Sequence, residues 1–206
     1  MISKTKQLER PLSALDVIFS RRSVRAYTGE RLDQDTVRAL LDAAVQAPTA
    51  MHAEPWAFVV VQDAGALKKY SDVAKALWST ELGQHRDLHA VGEAAARSHF
   101  AREMENPDFS IFYDAGTLIV ICAKATGPFA AADCWLAADN LMLAACAMGL
   151  GSCCIGSATG ALNTPDIKRE LNIPPDVIAV APIIVGVPAG PAAPVARKSP
   201  EILIWK

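Results

Sequence analysis

The stretch Ser20 to Arg25, S-R-R-S-V-R, follows a short apolar segment, Leu12 to Phe19, and the reading of the whole chain turns on it. Three guanidiniums and a hydroxyl fall between Arg21 and Arg25. Such a set can hold a phosphate on one side and a polarised ring on the other, because planar guanidinium donors match oxyanion geometry. Arginines at a helix end also have a plainer use, as a solvated face that complements the negative end of the helix dipole. The cluster alone does not separate the two readings, so the rest of the chain has to.

With 206 residues, 51% of them hydrophobic, the chain can bury one sizeable core, and a single domain spanning 1–206 is expected. A formal net charge of -2 leaves no global basic field, so neither nucleic acid nor an acidic membrane surface is an expected partner. The opening M-I-S-K-T-K-Q-L-E-R lacks the apolar core of a secretory signal and no apolar run is long enough to span a bilayer, so a cytoplasmic location is expected. The five cysteines, Cys122, Cys134, Cys146, Cys153 and Cys154, show no C-x-x-C ligand spacing and read as small buried thiols in a reducing compartment.

Outward from the arginines, Leu12, Leu15, Val17, Ile18 and Phe19 predict a helix capped by Ser13. Thr28-Gly29-Glu30 marks a turn, and Asp33 can cap a second helix carrying Val37, Leu40, Leu41, Ala44 and Val45, stopped by Pro48. The loop A-P-T-A-M-H-A-E-P-W then feeds a buried strand, Ala57 to Gln62, with Trp56 as a core anchor. From Ala64 to Glu105 the pattern is helical but polar, its Leu67, Tyr70, Val73, Leu77, Leu82 and Leu88 too sparse for deep burial, and it reads as a mobile cover. His85, His89 and Glu93 share metal-like spacing, but an exposed polar face is the reading adopted and no metal is assigned.

Further along, Thr117 to Ala123 is a near-continuous apolar run, as a strand covered on both faces requires. Ala130 to Met148 predicts a long, central, buried helix ending in G-L-G, followed by a short strand and glycine turn from Ser152 to Gly156. Asp166 can cap a short helix to Leu171, and Val177 to Val187 is a third strand in which Pro182 marks an edge or a bulge. Pro188 to Ala196 favours extended geometry at ~3.1 Å per residue, a reach of ~28 Å, ahead of Arg197, Lys198 and an apolar strand, Ile202 to Trp205.

Taken together, R-R-S-V-R after an opening helix, A-P-T-A-M-H-A-E-P-W before a strand, G-L-G-S-C-C-I-G after a buried helix and a late R-K-S-P resemble the FMN-dependent nitroreductase family. The resemblance is spread over nearly the whole chain, apart from the stretch 64–110, which in that family varies with substrate. It implies an α+β fold with a mainly antiparallel central sheet flanked by helices, an intertwined homodimer with FMN at the subunit interface, and a tail, 188–206, reaching the partner subunit. Residue by residue it implies that Arg21, Arg22 and Ser23 hold the phosphate and ribityl chain of FMN and that Arg25 faces the pyrimidine edge of the ring. Pro48, Thr49, Ala50 and His52 match the loop brought from the partner. Cys154, Ile155 and Gly156 match the segment whose backbone N–H groups approach the flavin, and Arg197 with Lys198 the late basic position at the phosphate.

The chain departs from the family pattern in places. Many members read P-S-x-x-N-x-Q-P-W where this chain has Thr49, His52 and Glu54, a variant that also resembles the iodotyrosine deiodinase branch. That branch closes its site with a Glu, a Tyr and a Lys, and no equivalent set stands between Trp78 and Arg102. Asp108 and Ile111 occupy places where some nitroreductases carry Asn and Lys. His52 reads either as a loop side chain bonded to a backbone carbonyl or as a direct participant, and no general base is required, because the flavin carries the hydride chemistry. The expected activity is NAD(P)H-dependent reduction, in ping-pong order, of flat electron-poor acceptors such as nitroaromatics or quinones. The alternatives are reductive dehalogenation or other specialised flavin chemistry on the same fold, and flavin binding without turnover.

Overall fold

The computed structural model describes residues 12–84, 94–124 and 127–206. In chain order the elements are α1 (Ala14–Ser20), α2 (Gln34–Ala44), a 3-10 turn (Ala50–His52), β1 (Trp56–Val61), α3 (Ala64–Gln84), α4 (Ala94–Glu105), β2 (Thr117–Ala123), α5 (Ala130–Ala147), β3 (Gly151–Cys154), a second 3-10 turn (Gly156–Ala158), α6 (Thr159–Leu162), α7 (Pro165–Glu170) and β4 (Ile178–Gly186). The four strands form one sheet in the order β1-β2-β4-β3, antiparallel throughout. The expected α+β architecture is present.

Every residue of β2 is buried, and its two faces go to different cores. Leu118, Val120 and Cys122 pack with Leu67, Tyr70, Ala74, Leu162 and Ile167 from α3, α6 and α7. Ile119, Ile121 and Ala123 face the opposite way and pack with Val37 and Leu40 of α2 and Cys134, Ala138 and Leu141 of α5. Side chains alternate along a strand, so a strand between two helical layers is apolar along its length, here with Thr117 at its start as the one polar residue, its hydroxyl hydrogen-bonded.

Strand β4 is interior and not an edge, with β2 on one side and β3 on the other. Its register slips beside Pro182: Ile121 pairs with Ala181 but Cys122 pairs with Ala179, leaving Val180 as an extra residue. The slip reverses the inward face, so that Ala179 joins the core under α3 while Ala181 and Ile183 join the one under α5. Of the two readings of Pro182, the bulge is the one adopted.

Four sequence expectations need correction. Helix α3 is not a sparse cover at its first turns, because Leu67, Tyr70 and Ala74 are buried and the two polar residues on the same face are paired. Ser71 Oγ accepts from the Ile111 N–H at 3.1 Å, and Lys75 Nζ donates to the carbonyls of Asn106, Pro107 and Phe109 at 3.1, 3.3 and 2.8 Å. Helix α5 buries one face only; Trp135 and Leu136 on the other face are exposed. Helix α7 starts after Thr164 with Pro165 in its first turn, and Asp166 lies inside that turn instead of capping it. The segment Ile202 to Trp205 forms no strand within the chain. His85, His89, Glu93 and Leu88 fall outside the described residues.

After α1 the chain crosses one end of the sheet. Val24 N–H donates to Ser152 O and Thr28 N–H to Val187 O, both at 3.0 Å, while Ala189 N–H returns to Ala26 O at 2.9 Å. Gly116, Gly186 and Gly151 lie at that end on the adjacent strands β2, β4 and β3. A Cβ at Gly116 would stand 2.3 Å from Glu30 O, and one at Gly151 would stand 2.8 Å from Val24 Cγ1. Backbone on backbone cannot give way, so Gly116→Ala is expected to cost on the order of 3 kcal/mol, by overpacking and displacement of the passing strand. Gly190→Ala, with open space around it, is expected to stay within about 0.5 kcal/mol of wild type. Urea midpoints at unchanged m-value check both; equal midpoints for the two variants would refute the close-packing argument.

Candidate functional site

The arginine cluster reaches its place because α1 is short and firmly capped. Ser13 and Asp16 form a reciprocal capping box, with Asp16 N–H donating to Ser13 Oγ at 3.2 Å and Ser13 N–H to Asp16 Oδ2 at 3.0 Å. At the other end Arg21 closes the last turn through its N–H to Val17 O and turns extended, so the next residues leave along the free side of β3. Ser23 bridges Ser152 there as a short parallel pairing.

Two cavities meet at Arg25. One, of about 700 Å³, is lined by Arg25, the segment from Cys153 to Ser157, and side chains from α3, α4 and the turn before β2, among them Trp78, Glu103 and Tyr113. The other, of about 710 Å³, is lined by Arg22 to Ala26 and by the extended segment after β4, including Arg197. Both volumes are in the range of small-molecule and cofactor sites. The Arg25 guanidinium carbon stands 5.9 Å from the Tyr113 ring centroid, over its face. Burial holds the Tyr113 phenol above its ordinary range, with Arg25 opposing the rise.

Ser23, Arg25, Cys154, Ile155, Gly156 and Arg197 line these two cavities, while Arg21 lines neither and its charge acts on the buried Cys153 thiol; not all of them have free donors. Arg22 Nη1 donates to Phe19 O and Arg21 O at 2.7 and 2.8 Å, which commits it to the end of α1. Ile155 N–H donates to Pro182 O at 2.8 Å. Alternation along β3 then turns the Cys154 N–H away from β4, toward the side where Val24 takes the Ser152 carbonyl. The Gly156 N–H reaches the Cys154 sulfur, offsetting part of the rise that burial gives that thiol, to about 11. Lys198 is exposed and does not line the cavity beside Arg197.

The loop from Pro48 to His52 lies elsewhere. Ala50 N–H donates to both carboxylate oxygens of the buried Asp133 at 3.3 Å, and Met51, His52 and Glu54 all hold positive φ of 55°, 53° and 42°. Non-glycine residues in that region are strained, so this loop is held in one shape by its anchors and not by its own preference. His52 is exposed and is tied to no backbone carbonyl among the described residues.

Sequence reasoning missed Tyr113, Trp78, His99 and Glu103 as site residues, and Lys75 as the residue that fixes the turn carrying Phe109. The one available signal was the helical spacing Leu67, Tyr70, Ser71, Ala74, Lys75, Trp78, a continuous inward stripe once two buried polar positions are allowed. Trp78 Nε1 is buried with no partner among the described residues, as expected of a site completed by a ligand. Arg25 at the junction of the two cavities, Arg197 lining one of them and an unpaired strand-edge N–H fit a phosphate-bearing cofactor such as FMN. Among the described residues no group of side chains could hold a metal ion, and no helix is long and apolar enough to cross a membrane.

Comparison with known proteins agrees with this geometry. The Nitroreductase family model matches residues 18–187. A provisionally named NADH dehydrogenase/NAD(P)H nitroreductase of Archaeoglobus fulgidus is 26% identical over 84% of this chain and 84% of its own. The crystal structure of a nitroreductase with bound FMN from Bacteroides fragilis superposes with a TM-score of 0.74 at 24% identity, covering 95% of this chain and all of that one (100%). An iodotyrosine deiodinase bound to FMN and 3-iodo-L-tyrosine superposes with a TM-score of 0.71 at 22% identity, covering 92% and 97%. With residues 18–187 matched by the family model, the chain belongs to the Nitroreductase family.

Proposed function

We propose that this protein is an FMN-dependent NAD(P)H oxidoreductase that reduces flat, electron-poor acceptors such as nitroaromatics and quinones, working as a homodimer. The observation that carries the reading is the position of Arg25 between two cavities, one suited to a phosphate-bearing chain and the other walled by aromatic rings. Bound FMN supplies the chemistry, a hydride relay from a nicotinamide to the acceptor in ping-pong order. Arg21, Ser23 and Arg197 hold the phosphate side. Arg25 places a fixed positive charge where negative charge develops on reduction, and being preorganised it costs no reorientation at that moment. The Cys154 N–H is a donor at the strand edge, and no residue of this chain need act as a general base.

Exposed apolar surface supports the dimer. Phe19 is 73% exposed, Met51 97%, Leu203 90% and Trp205 86%, and each buried on association contributes roughly 1.5–3 kcal/mol. The anchored loop from Pro48 to His52 and the tail after β4 are the segments we assign to the partner's site.

The likeness to an FMN-bound iodotyrosine deiodinase makes reductive dehalogenation the second reading. Against it, among the described residues no lysine lines the Arg25 cavity to take the carboxylate of an amino acid.

The purified protein is expected to be yellow and to release FMN, not FAD, on denaturation, since no dinucleotide G-x-G-x-x-G fingerprint follows a strand. Binding titrations should place Arg197→Ala on the order of 1.5–3 kcal/mol weaker for FMN, and Arg22→Ala much nearer wild type because its guanidinium serves α1. Arg25→Ala should instead lower the flavin potential and slow reduction. A colourless protein that FMN cannot reconstitute would end the proposal. Deleting residues 196–206 should cost the dimer and the flavin together; a truncated chain that sediments as a monomer with stoichiometric FMN would separate what we join. With one preparation of reduced enzyme, several nitroaromatics and quinones should turn over while a halotyrosine does not, and the opposite pattern would promote the second reading.

A further inference from the structure

The cavity beside Arg25 has an aromatic wall drawn from three elements. Trp78 from α3, Phe100 from α4, and Phe109 and Tyr113 from the turn before β2 line it. Trp78 meets Phe100 edge to face at 5.3 Å, and Phe109 meets Tyr113 likewise at 5.4 Å. Ring faces carry negative potential and attract cations, most strongly where water is thinned out.

The charge distribution points the same way. The cavity-lining groups that titrate are Arg25, His99, Glu103, Tyr113, Cys153 and Cys154. Burial raises Tyr113, Cys153 and Cys154 and keeps them neutral near pH 7. Arg25 lies over Tyr113 and, on the reading above, faces the cofactor. That leaves Glu103, half-buried on α4, with no ion pair and no hydrogen bond to its carboxylate among the described residues, and close enough to act on the Tyr113 phenol. His99, one helical turn earlier on the same side, is exposed. An incompletely solvated carboxylate beside aromatic faces is a cation site.

Resting on the proposed function, we propose that Glu103 and the ring wall of Trp78, Phe100, Phe109 and Tyr113 select acceptors by charge, taking flat aromatics with an ammonium or other cationic substituent ahead of neutral ones and disfavouring carboxylated ones. The side chain that sets this order is Glu103, and the rings supply a surface any flat acceptor can use. An anionic substituent meets the Glu103 charge, and of the described basic groups lining the cavity Arg25 lies over Tyr113 while His99 is exposed.

The test uses the FMN-loaded protein and two readouts. Calorimetric titration with benzylammonium, benzyl alcohol and benzoate should give affinities in that order, the first on the order of tenfold tighter than the second. Steady-state reduction of 4-nitrobenzylamine, 4-nitrobenzyl alcohol and 4-nitrobenzoate should follow the same order through KM, with kcat little changed. Glu103→Gln should bring the ammonium and alcohol ligands to near-equal affinity and near-equal KM, with retained FMN showing that the variant is folded and loaded. Benzoate binding as well as benzylammonium, or an order that survives Glu103→Gln, overturns the inference and leaves the flavin reading intact. Failure to reduce the neutral 4-nitrobenzyl alcohol instead strikes the proposed function, and the acceptor inference falls with it.

Discussion

Everything at the functional end of this molecule depends on how closely residues 24–32 lie against the sheet. Gly116, Gly186 and Gly151 stand side by side at one end of β2, β4 and β3, and the crossing segment occupies the space their side chains would need. Thr117 Oγ1 then accepts from the Leu32 N–H and from Gln62 Nε2, which also donates to Leu32 O, so the segment is pinned where it leaves the sheet. Because Val24 sits flush on Gly151, Arg25 emerges at the mouth of the cleft with its direction already set. Arginine has long side-chain freedom to lose, and a fixed backbone beneath it is what makes its charge useful at a defined point.

The opposite wall is built on a different device. Lys75 is buried, and its ammonium gathers three carbonyls from the turn between α4 and β2. A buried ammonium is tolerated only when its donors are used, and here they are spent on backbone that has no ladder to join. The turn that results carries Phe109 and delivers Tyr113 in a left-handed conformation, φ 51°, to Arg25. One wall is thus positioned by the absence of side chains and the other by a single charged one.

Legibility in the sequence followed from how many physical demands fell on each residue. Strand β2 was readable to the residue because burial on both faces leaves one kind of composition. The α1 cap was readable because Ser13 and Asp16 have a purely local job. The inward stripe of α3 was not, since Ser71 and Lys75 look like surface residues until their distant carbonyl and N–H partners are in place. Nor was the outer face of α5, where Trp135 and Leu136 are as apolar as the residues beneath, and composition does not distinguish burial within a chain from burial between chains. The extra residue Val180 left no mark in an apolar run, although it reverses which face of β4 each later side chain takes. Of the site, the arginines and the β3 edge were legible as a motif, while the aromatic wall was not, because it is assembled from three elements with no common spacing.

The pairing of Val24 with Ser152, and of Thr28 with Val187, joins backbone near the start of the chain to backbone near its end. Loop-closure entropy makes such contacts the last to be rewarded during folding, after the local helices and the β1-β2 pairing have formed. On a ribosome the arginine segment would therefore wait, exposed and without a seat, until β3 and β4 had been synthesised and had paired. A chain cut short anywhere before β4 would leave the ribosome with the arginine segment lacking the backbone partners that seat it.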